Sequence, residues 1–299
     1  MSKKNEQHYI PRVYLKWFQI DDEKNKNFVY CVDFSNIYNT RIQRKGINDK
    51  VFKYRKFYND NRLADPFAIE NMLGSHFEPK YDEIIRAISN ESKISPTIVE
   101  NLITWIYISK MRSPYIRTGS EKLLDFIISS TNAQQKQVPT EREKEEIDDY
   151  IKVGARQVHL NHFSCSEQTQ NLLELYFNTL NAKHWRILKS MPEFPFWTND
   201  NPGFSPNINP IFAQETPFHQ VIELNSSSII FYVLTPKYCL HITPFVAGTP
   251  LEVCALNMNI EFSQASPDLI DYINKGVFYS RYKLIISNSK ELLDRCIQN

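Results

Sequence analysis

The stretch IVENLITWIYISKMR, Ile98 to Arg112, decides how the rest of the chain is read. Ser95-Pro96 stands just before it, a cap followed by a first-turn proline, and so marks a helix start. Apolar residues run nearly all round that helix, which places it at the centre of the molecule. Arg112 lies near its end, and Pro114 is expected to end or bend it.

Working outward from this centre, more helix is expected on both sides. Upstream, Ile69, Leu73, Phe77 and Tyr81 recur at four-residue spacing after Asp65-Pro66, and Ile84, Ile85 and Ile88 continue the face. Pro79 should kink or split that helix. Downstream, a polar linker leads to Thr140-Glu141-Arg142-Glu143, a capping box that opens a charged helix. The run EREKEEIDD is its solvated face. A further helical pattern covers Thr169 to Leu180.

The two ends read as strands. HYIPRVYLKWF is an extended entry followed by a short helix, with Pro11 at the first helical position. FVYCVDF and the residues from Ile37 to Ile42 alternate as a hairpin, with Ser35-Asn36 as turn material. After Lys183, the segments HWRIL, FPFW, SIIFYVL and KYCLHI read as strands, the last two joined at Thr235-Pro236-Lys237. A helix from Leu251 to Gln264 and a late strand at VFYS complete the expectation. Strands at both ends around a helical middle define an α+β fold. Its N-terminal hairpin, helical middle and C-terminal antiparallel strands pack as one unit. No linker divides the chain, so residues 1–299 are read as one domain.

Composition removes several function classes. Hydrophobic residues make up 42% and aromatics 13%, enough for a substantial core. Gly is scarce at 7, and no G-x-G-x-x-G or G-x-x-x-x-G-K-[ST] string occurs, so no nucleotide-cofactor motif is present. With 35 basic and 34 acidic residues the net charge is +1, which gives no general pull toward nucleic acid or an anionic membrane. A local basic site would draw on Lys3, Lys4, Arg41, Arg44 and Lys45, although solvated surface charge is the simpler reading of them. MSKKNEQHYIP has no apolar h-region, and runs such as LITWIYI fall far short of the roughly 20 residues of a membrane span. Five scattered cysteines read as reduced thiols. These features point to a soluble, cytoplasmic protein without membrane attachment.

The polar candidates come from four places. Asp200, in FPFWTNDNP, sits at the end of an apolar run. Asp and Asn at such a corner either close an Asx-turn or face a cleft, where a carboxylate binds a divalent ion or positions water. Arg12, in the first turn of a helix, opposes the helix dipole at a cost of up to ~1 kcal/mol and so calls for a carboxylate or a phosphate. Arg112, on a helix apolar nearly all round, also needs an anionic partner. Glu70 and Glu78 are eight residues apart, on one edge of the stripe. They suit ion pairs, metal ligands or an acid–base pair. His159, His162 and Cys165 have helical spacing, but a tetrahedral zinc wants a fourth ligand, so an ordinary helix surface is the simpler reading.

HYIPRVYLKWF, MRSPYIR and FPFWTNDNP together resemble the bacterial family catalogued as domain of unknown function number 4238. Its opening string, similar to H-Y-x-P-R-x-Y-L-x-x-F, is met by His8, Tyr9, Pro11, Arg12, Tyr14, Leu15 and Phe18. Its acidic helix is matched by Glu70 and Glu78, and its R-[ST]-P-x-x-R string by Arg112, Ser113, Pro114 and Arg117. Its late string, similar to P-F-[IV]-T-S-D-N-P, is met from Pro195 to Pro202, with departures at Trp197 and at Asn199, where serine is usual. Leu234 to Pro236 and Asn257 also fit.

The resemblance implies one shared site and names no reaction. Two classes follow. In the first, a nuclease-like, metal-dependent phosphodiester hydrolase, His8 and Asp200 carry the proton chemistry. Arg12, Arg112, Arg117 and Asn201 bind substrate, and Glu70, Glu78 and Asp200 hold Mg²⁺ or Mn²⁺. The partner would be nucleic acid or a phosphate-containing small molecule, in a bacterial toxin or phage-defence setting. In the second, the chain is a non-catalytic binding or regulatory module whose arginine–carboxylate network holds the fold. Solvent access separates them, since a catalytic group must line an open cleft. Oligomeric state is left open.

Overall fold

The computed structural model describes residues 6–298, apart from 22–23, 25, 36–39, 92, 136–137, 165, 207–226, 247 and 251–252. The chain begins with β1 (Glu6–His8) and α1 (Arg12–Lys16), then β2 (Phe28–Asp33), β3 (Ile42–Gly46) and β4 (Lys53–Arg55). The helices α2 (Ala68–Met72), α3 (Glu78–Ser89), α4 (Pro96–Met111), α5 (Pro114–Gln134), α6 (Glu141–Asn161) and α7 (Glu167–Asn181) follow. The last third holds β5 (His184–Lys189), β6 (Thr198–Asn199), β7 (Ile230–Val233), β8 (Tyr238–Thr243), β9 (Glu261–Gln264), α8 (Pro267–Ser280), β10 (Leu284–Ser287) and α9 (Lys290–Gln298). The fold is α+β.

Both chain ends build one sheet, in the order β3-β2-β10-β6. The N-terminal hairpin pairs Val29 with Lys45, β10 pairs Ile286 with Cys31, and its other edge pairs Ile286 with Thr198. β10 is buried at all four residues, as its unbroken apolar run Leu284-Ile285-Ile286 requires. A second sheet runs β7-β8-β5-β9, antiparallel except that β9 lies parallel to β5. β1 and β4 form a separate ribbon, in which Gln7 faces Tyr54 and His8 faces Lys53.

Local chemistry explains the helix ends. Ser95 accepts from the Ile98 amide, and Pro96 occupies the first turn of α4, where its missing N–H is no loss. Val99, Leu102, Ile103, Trp105 and Ile106 are all buried, and Tyr81 of α3 stacks on Trp105 at 4.2 Å. Before α3 a π-turn spans Leu73–Phe77, and Pro79 lies in the first turn of α3, so the proline splits the helical run as expected. Thr140 and Glu143 cap α6 reciprocally, the Thr140 amide donating to Glu143 Oε2 at 2.7 Å. The buried core joins Leu15, Val32, Ile84, Leu102, Ile187 and Ile285, from helices and both sheets.

Several elements differ from the sequence expectation. The second hairpin strand is Ile42–Gly46 rather than 37–42, and residues 36–39 lie outside the described ones. Pro11 precedes α1 instead of entering it. Pro114 opens the long α5 with Ser113 as its cap, where a polar linker was read. FPFW is not a strand; pairing starts at Thr198, after Pro195, which has no N–H to donate to a ladder. No helix covers the described residues from 253 to 264. Asn257 Oδ1 accepts from the Cys254 amide at 2.9 Å, a local turn, and Glu261–Gln264 pair with β5. VFYS is the last turn of α8, whose start repeats the Ser-Pro signal of α4: Ser266 accepts from the Leu269 amide. Among the described residues no helix is long and apolar enough to cross a membrane.

Candidate functional site

Arg112 ends α4 and Ser113 begins α5, so two helices meet end to end and leave a guanidinium inside the protein at 0% exposure. All three of its nitrogens are used. Nη1 donates to Glu78 Oε1 at 2.8 Å, Nη2 to the His8 carbonyl at 2.6 Å, and Nε to the Tyr58 hydroxyl at 3.3 Å. Burial works against the charge, but Tyr58, Glu78 and Glu70 outweigh it and raise the Arg112 pKa. The expected anionic partner is therefore Glu78, itself only half-buried.

The same junction holds the TNDNP corner. Ser113 Oγ donates to the Asp200 carbonyl at 2.9 Å, and Lys110 Nζ to the Gly203 carbonyl at 2.8 Å. Tyr14 of α1 hydrogen-bonds Thr198 Oγ1 and donates to the Val233 carbonyl, while Tyr81 donates to Leu234 O. The short polar residues then terminate α8. Asn199 Nδ2 donates to Val277 O at 2.6 Å and to Ser280 Oγ, and Asn201 Nδ2 donates to Ser280 O at 2.9 Å. A helix leaves its last carbonyls without internal partners, and these amides supply them. Asn199 also closes an Asx-turn onto the Asn201 amide.

Asp200 is 1% exposed, and both of its oxygens are occupied: Oδ1 accepts from the Tyr282 and Lys283 amides, and Oδ2 from the Lys283 amide. Burial pushes its pKa up to about 6, against the pull of those amides and of the Lys283 charge. It fixes the entry to β10. Asp200 is held by the amides at the start of β10, whereas the charges that act on Glu70 are those of Arg112 and Glu78.

That corner is more open. Glu70, in the first turn of α2, is half-buried; desolvation and Glu78 raise its pKa while Arg112 lowers it. Its Oε2 is buried without a hydrogen-bond partner among the described residues. His8 is held well below its usual value, at about 4, by burial and by the charges of Lys53, Arg112 and Arg12. Its Nδ1 lies 3.2 Å from Ile10 O, a group that can only accept, so Nδ1 carries the proton and Nε2 the lone pair. Arg12 is exposed and has no ion pair among the described residues, and no acid stands in the first turn of α1. Arg117 does not join this group; its partner is Glu121, 3.6 Å away on α5.

The histidine motif on α6 has a packing role. His159 is fully buried against Phe57, Tyr58 and Phe163, and its Nε2 donates to Met111 O at 3.0 Å. Cys165 lies outside the described residues, as do Lys3, Lys4 and the Cys296 side chain. Cys31 and Cys239 are buried free thiols, and burial pushes Cys31 up to about 12. Among the described residues no three His, Cys, Asp or Glu side chains gather as metal ligands. Sequence reasoning assigned no role to Tyr58, Tyr81, Lys53 or Lys110. In the sequence Tyr81 stands only as part of an apolar stripe, yet a buried phenol must find an acceptor, and that requirement is the available signal.

Fold and site define an α+β protein assembled around the buried Arg112, with a half-open corner of two glutamates and a histidine. The family model described as "Protein of unknown function (DUF4238)" matches residues 6–291, and the chain belongs to that family. No curated protein and no solved structure matches it.

Proposed function

We propose that the chain is a metal-dependent, nuclease-like phosphodiester hydrolase working at the His8, Glu70 and Glu78 corner. The observation that carries this reading is Glu70: a carboxylate oxygen buried within reach of the Arg112 charge, with no partner among the described residues. Leaving such a group unpaired is costly, and proteins tolerate it mainly where a ligand completes it. Glu70 Oε2 and the second oxygen of Glu78 fit a divalent ion. Mg²⁺ and Mn²⁺ are commonly held through one or two carboxylates, with water and phosphate completing the shell. Such an ion, when bound, would neutralise charge on a phosphoryl oxygen.

The chain's own residues divide the remaining work. His8 stays neutral at pH 7 and offers Nε2 as proton acceptor. Arg12 and Lys53 both act on His8 and would attract a phosphate there, whether of nucleic acid or of a small molecule. Each Arg112 nitrogen already donates to the protein, so that Arg112 positions Glu78, and both Asp200 oxygens already accept from the backbone amides that lead into β10. A toxin or phage-defence effector is the setting for such an activity.

The test incubates the purified protein with total RNA, single-stranded DNA and plasmid, with and without Mg²⁺ or Mn²⁺. Glu70→Gln is the paired variant, because Asp200→Ala would loosen β10 and confuse folding with catalysis. Metal-dependent cleavage that falls at least about 100-fold in Glu70→Gln supports the proposal. Absence of cleavage on all three substrates sinks the nuclease-like activity and leaves a small phosphate-containing substrate or a non-catalytic role. The second reading is a non-catalytic binding or regulatory module. It is favoured by the burial of Arg112, Asn199, Asp200 and Asn201, each at most 1% exposed.

A further inference from the structure

The register of the β1–β4 ribbon sets which of its side chains share a face. His8 stands opposite Lys53 and Glu6 opposite Arg55, and successive residues of a strand point to opposite sides. His8, Lys53, Glu6 and Arg55 therefore lie on one face, with Gln7 and Tyr54 on the other. Gln7 is buried, so the first face is the outward one. Its His8 end meets the glutamate corner, because Arg112 donates to both the His8 carbonyl and Glu78. Lys53 and Arg12 lie close enough for their charges to act on His8. Arg55 is two residues farther along the strand, about 7 Å away from Lys53.

Arg12 and Arg55 are exposed and Lys53 is half-buried. Glu6, the only carboxylate in the ribbon, lies 3.8 Å from Lys50. Arg12, Lys50, Lys53 and Arg55 thus stand against one acid, a local excess of positive charge in a chain whose net charge is +1. Inside the corner Glu78 is matched by Arg112. A lone phosphate at His8 would draw on Arg12 and Lys53 and leave Arg55 unused. The next phosphate of an extended strand would reach it. The corner is also recessed, with Glu78 half-buried and one Glu70 oxygen buried. A duplex, stiff over roughly 150 base pairs, cannot bend its backbone into such a recess, whereas a single strand can.

We propose that the outward face of the β1–β4 ribbon, from Arg12 and Lys53 to Arg55, binds the backbone of single-stranded nucleic acid and leads a phosphodiester into the glutamate corner. The choice of nucleic acid rests on the hydrolase reading, but the path is tested without catalysis. Its contacts go to phosphates, so it reads no base sequence.

A fluorescent DNA oligonucleotide of mixed sequence, single-stranded or annealed to its complement, is titrated with the full chain in EDTA and followed by anisotropy. The single strand is expected to bind at least about tenfold more tightly than the duplex. Three phosphate contacts predict that log affinity falls against log salt with a slope of about −2 for the single strand. Arg55→Gln should weaken binding several-fold and reduce the slope by about 0.7, and Lys53→Gln should do the same. Lys152→Gln removes an exposed charge on α6 and should change neither. Thermal melts establish folding, and Lys53→Gln decides if Arg55→Gln does not fold. The proposal is overturned if the single strand does not bind, if the duplex binds as tightly, or if Lys152→Gln costs as much as Arg55→Gln. Strand binding by a protein that cleaves nothing upholds the path and sinks the nuclease-like activity. Cleavage without the expected binding sinks the path and leaves the chemistry of the corner standing.

Discussion

At Arg112, three donors meet a carboxylate, a carbonyl and a phenol within one buried pocket. Lysine carries the same charge but cannot form this fork, so Arg112→Lys is not conservative here. It should leave the Glu78, His8 and Tyr58 acceptors partly unmet and destabilise the protein by about 3–5 kcal/mol. Urea unfolding would read this as a lower midpoint with an unchanged slope. A loss below roughly 1 kcal/mol would mean that the network contributes little to the fold. The need for an anionic partner at Arg112 was legible, because a charge at the end of an apolar helix cannot stay alone. The identity of that partner as Glu78, and not Glu70 or Asp200, was not legible. It depends on the end-to-end meeting of α4 and α5, which no spacing in the chain announces.

Among the elements, α8 shows why some boundaries were hidden. Its last turn, Val277-Phe278-Tyr279-Ser280, has the composition of a strand, and β propensity is overridden by packing and by caps supplied from Asn199 and Asn201. Those caps lie some 80 residues away in sequence, so a local reading sees only a polar turn at TNDNP. Ser-Pro starts were legible at α4 because cap and proline act within one turn, and the same signal at Ser266-Pro267 was available. α8 also contains Gly276, where a methyl group would lie 2.1 Å from the Phe204 ring. Alanine normally favours a helix over glycine by about 1 kcal/mol. Here the sign should reverse: Gly276→Ala is expected to cost roughly 1–3 kcal/mol through overpacking. Adding Phe204→Leu should recover part of the loss, a coupling that a double-mutant cycle in urea would measure. Additive losses would show that the two residues do not meet.

For the whole molecule, the response to acid follows from which groups are buried in which protonation state. His159 is held down to about 3 by burial and by the nearby charges of His162, Arg117 and Arg156. His8 and His241 are each held near 4, chiefly by burial. As pH falls below about 6.5, the unfolded chain takes up protons at these histidines while the folded chain does not, so stability is lost. Asp200 works the other way. Its folded value of about 6 lies above that of an unfolded carboxylate, so between about pH 6 and 4 its protonation favours the folded state. Four histidines, His162 being lowered by burial as well, against one raised aspartate and Glu70 leave a net loss on acidification. His159, fully enclosed and least screened by water, should account for about 2 kcal/mol of the loss between pH 7 and pH 5. His159→Gln keeps a donor for Met111 O and has no titrating group. Its unfolding free energy, measured by urea at pH 7, 6 and 5, should decline more gently than that of the unaltered chain. Parallel declines would show that His159 gains its proton in the folded protein as easily as in the unfolded one, contrary to its enclosure among Phe57, Tyr58 and Phe163.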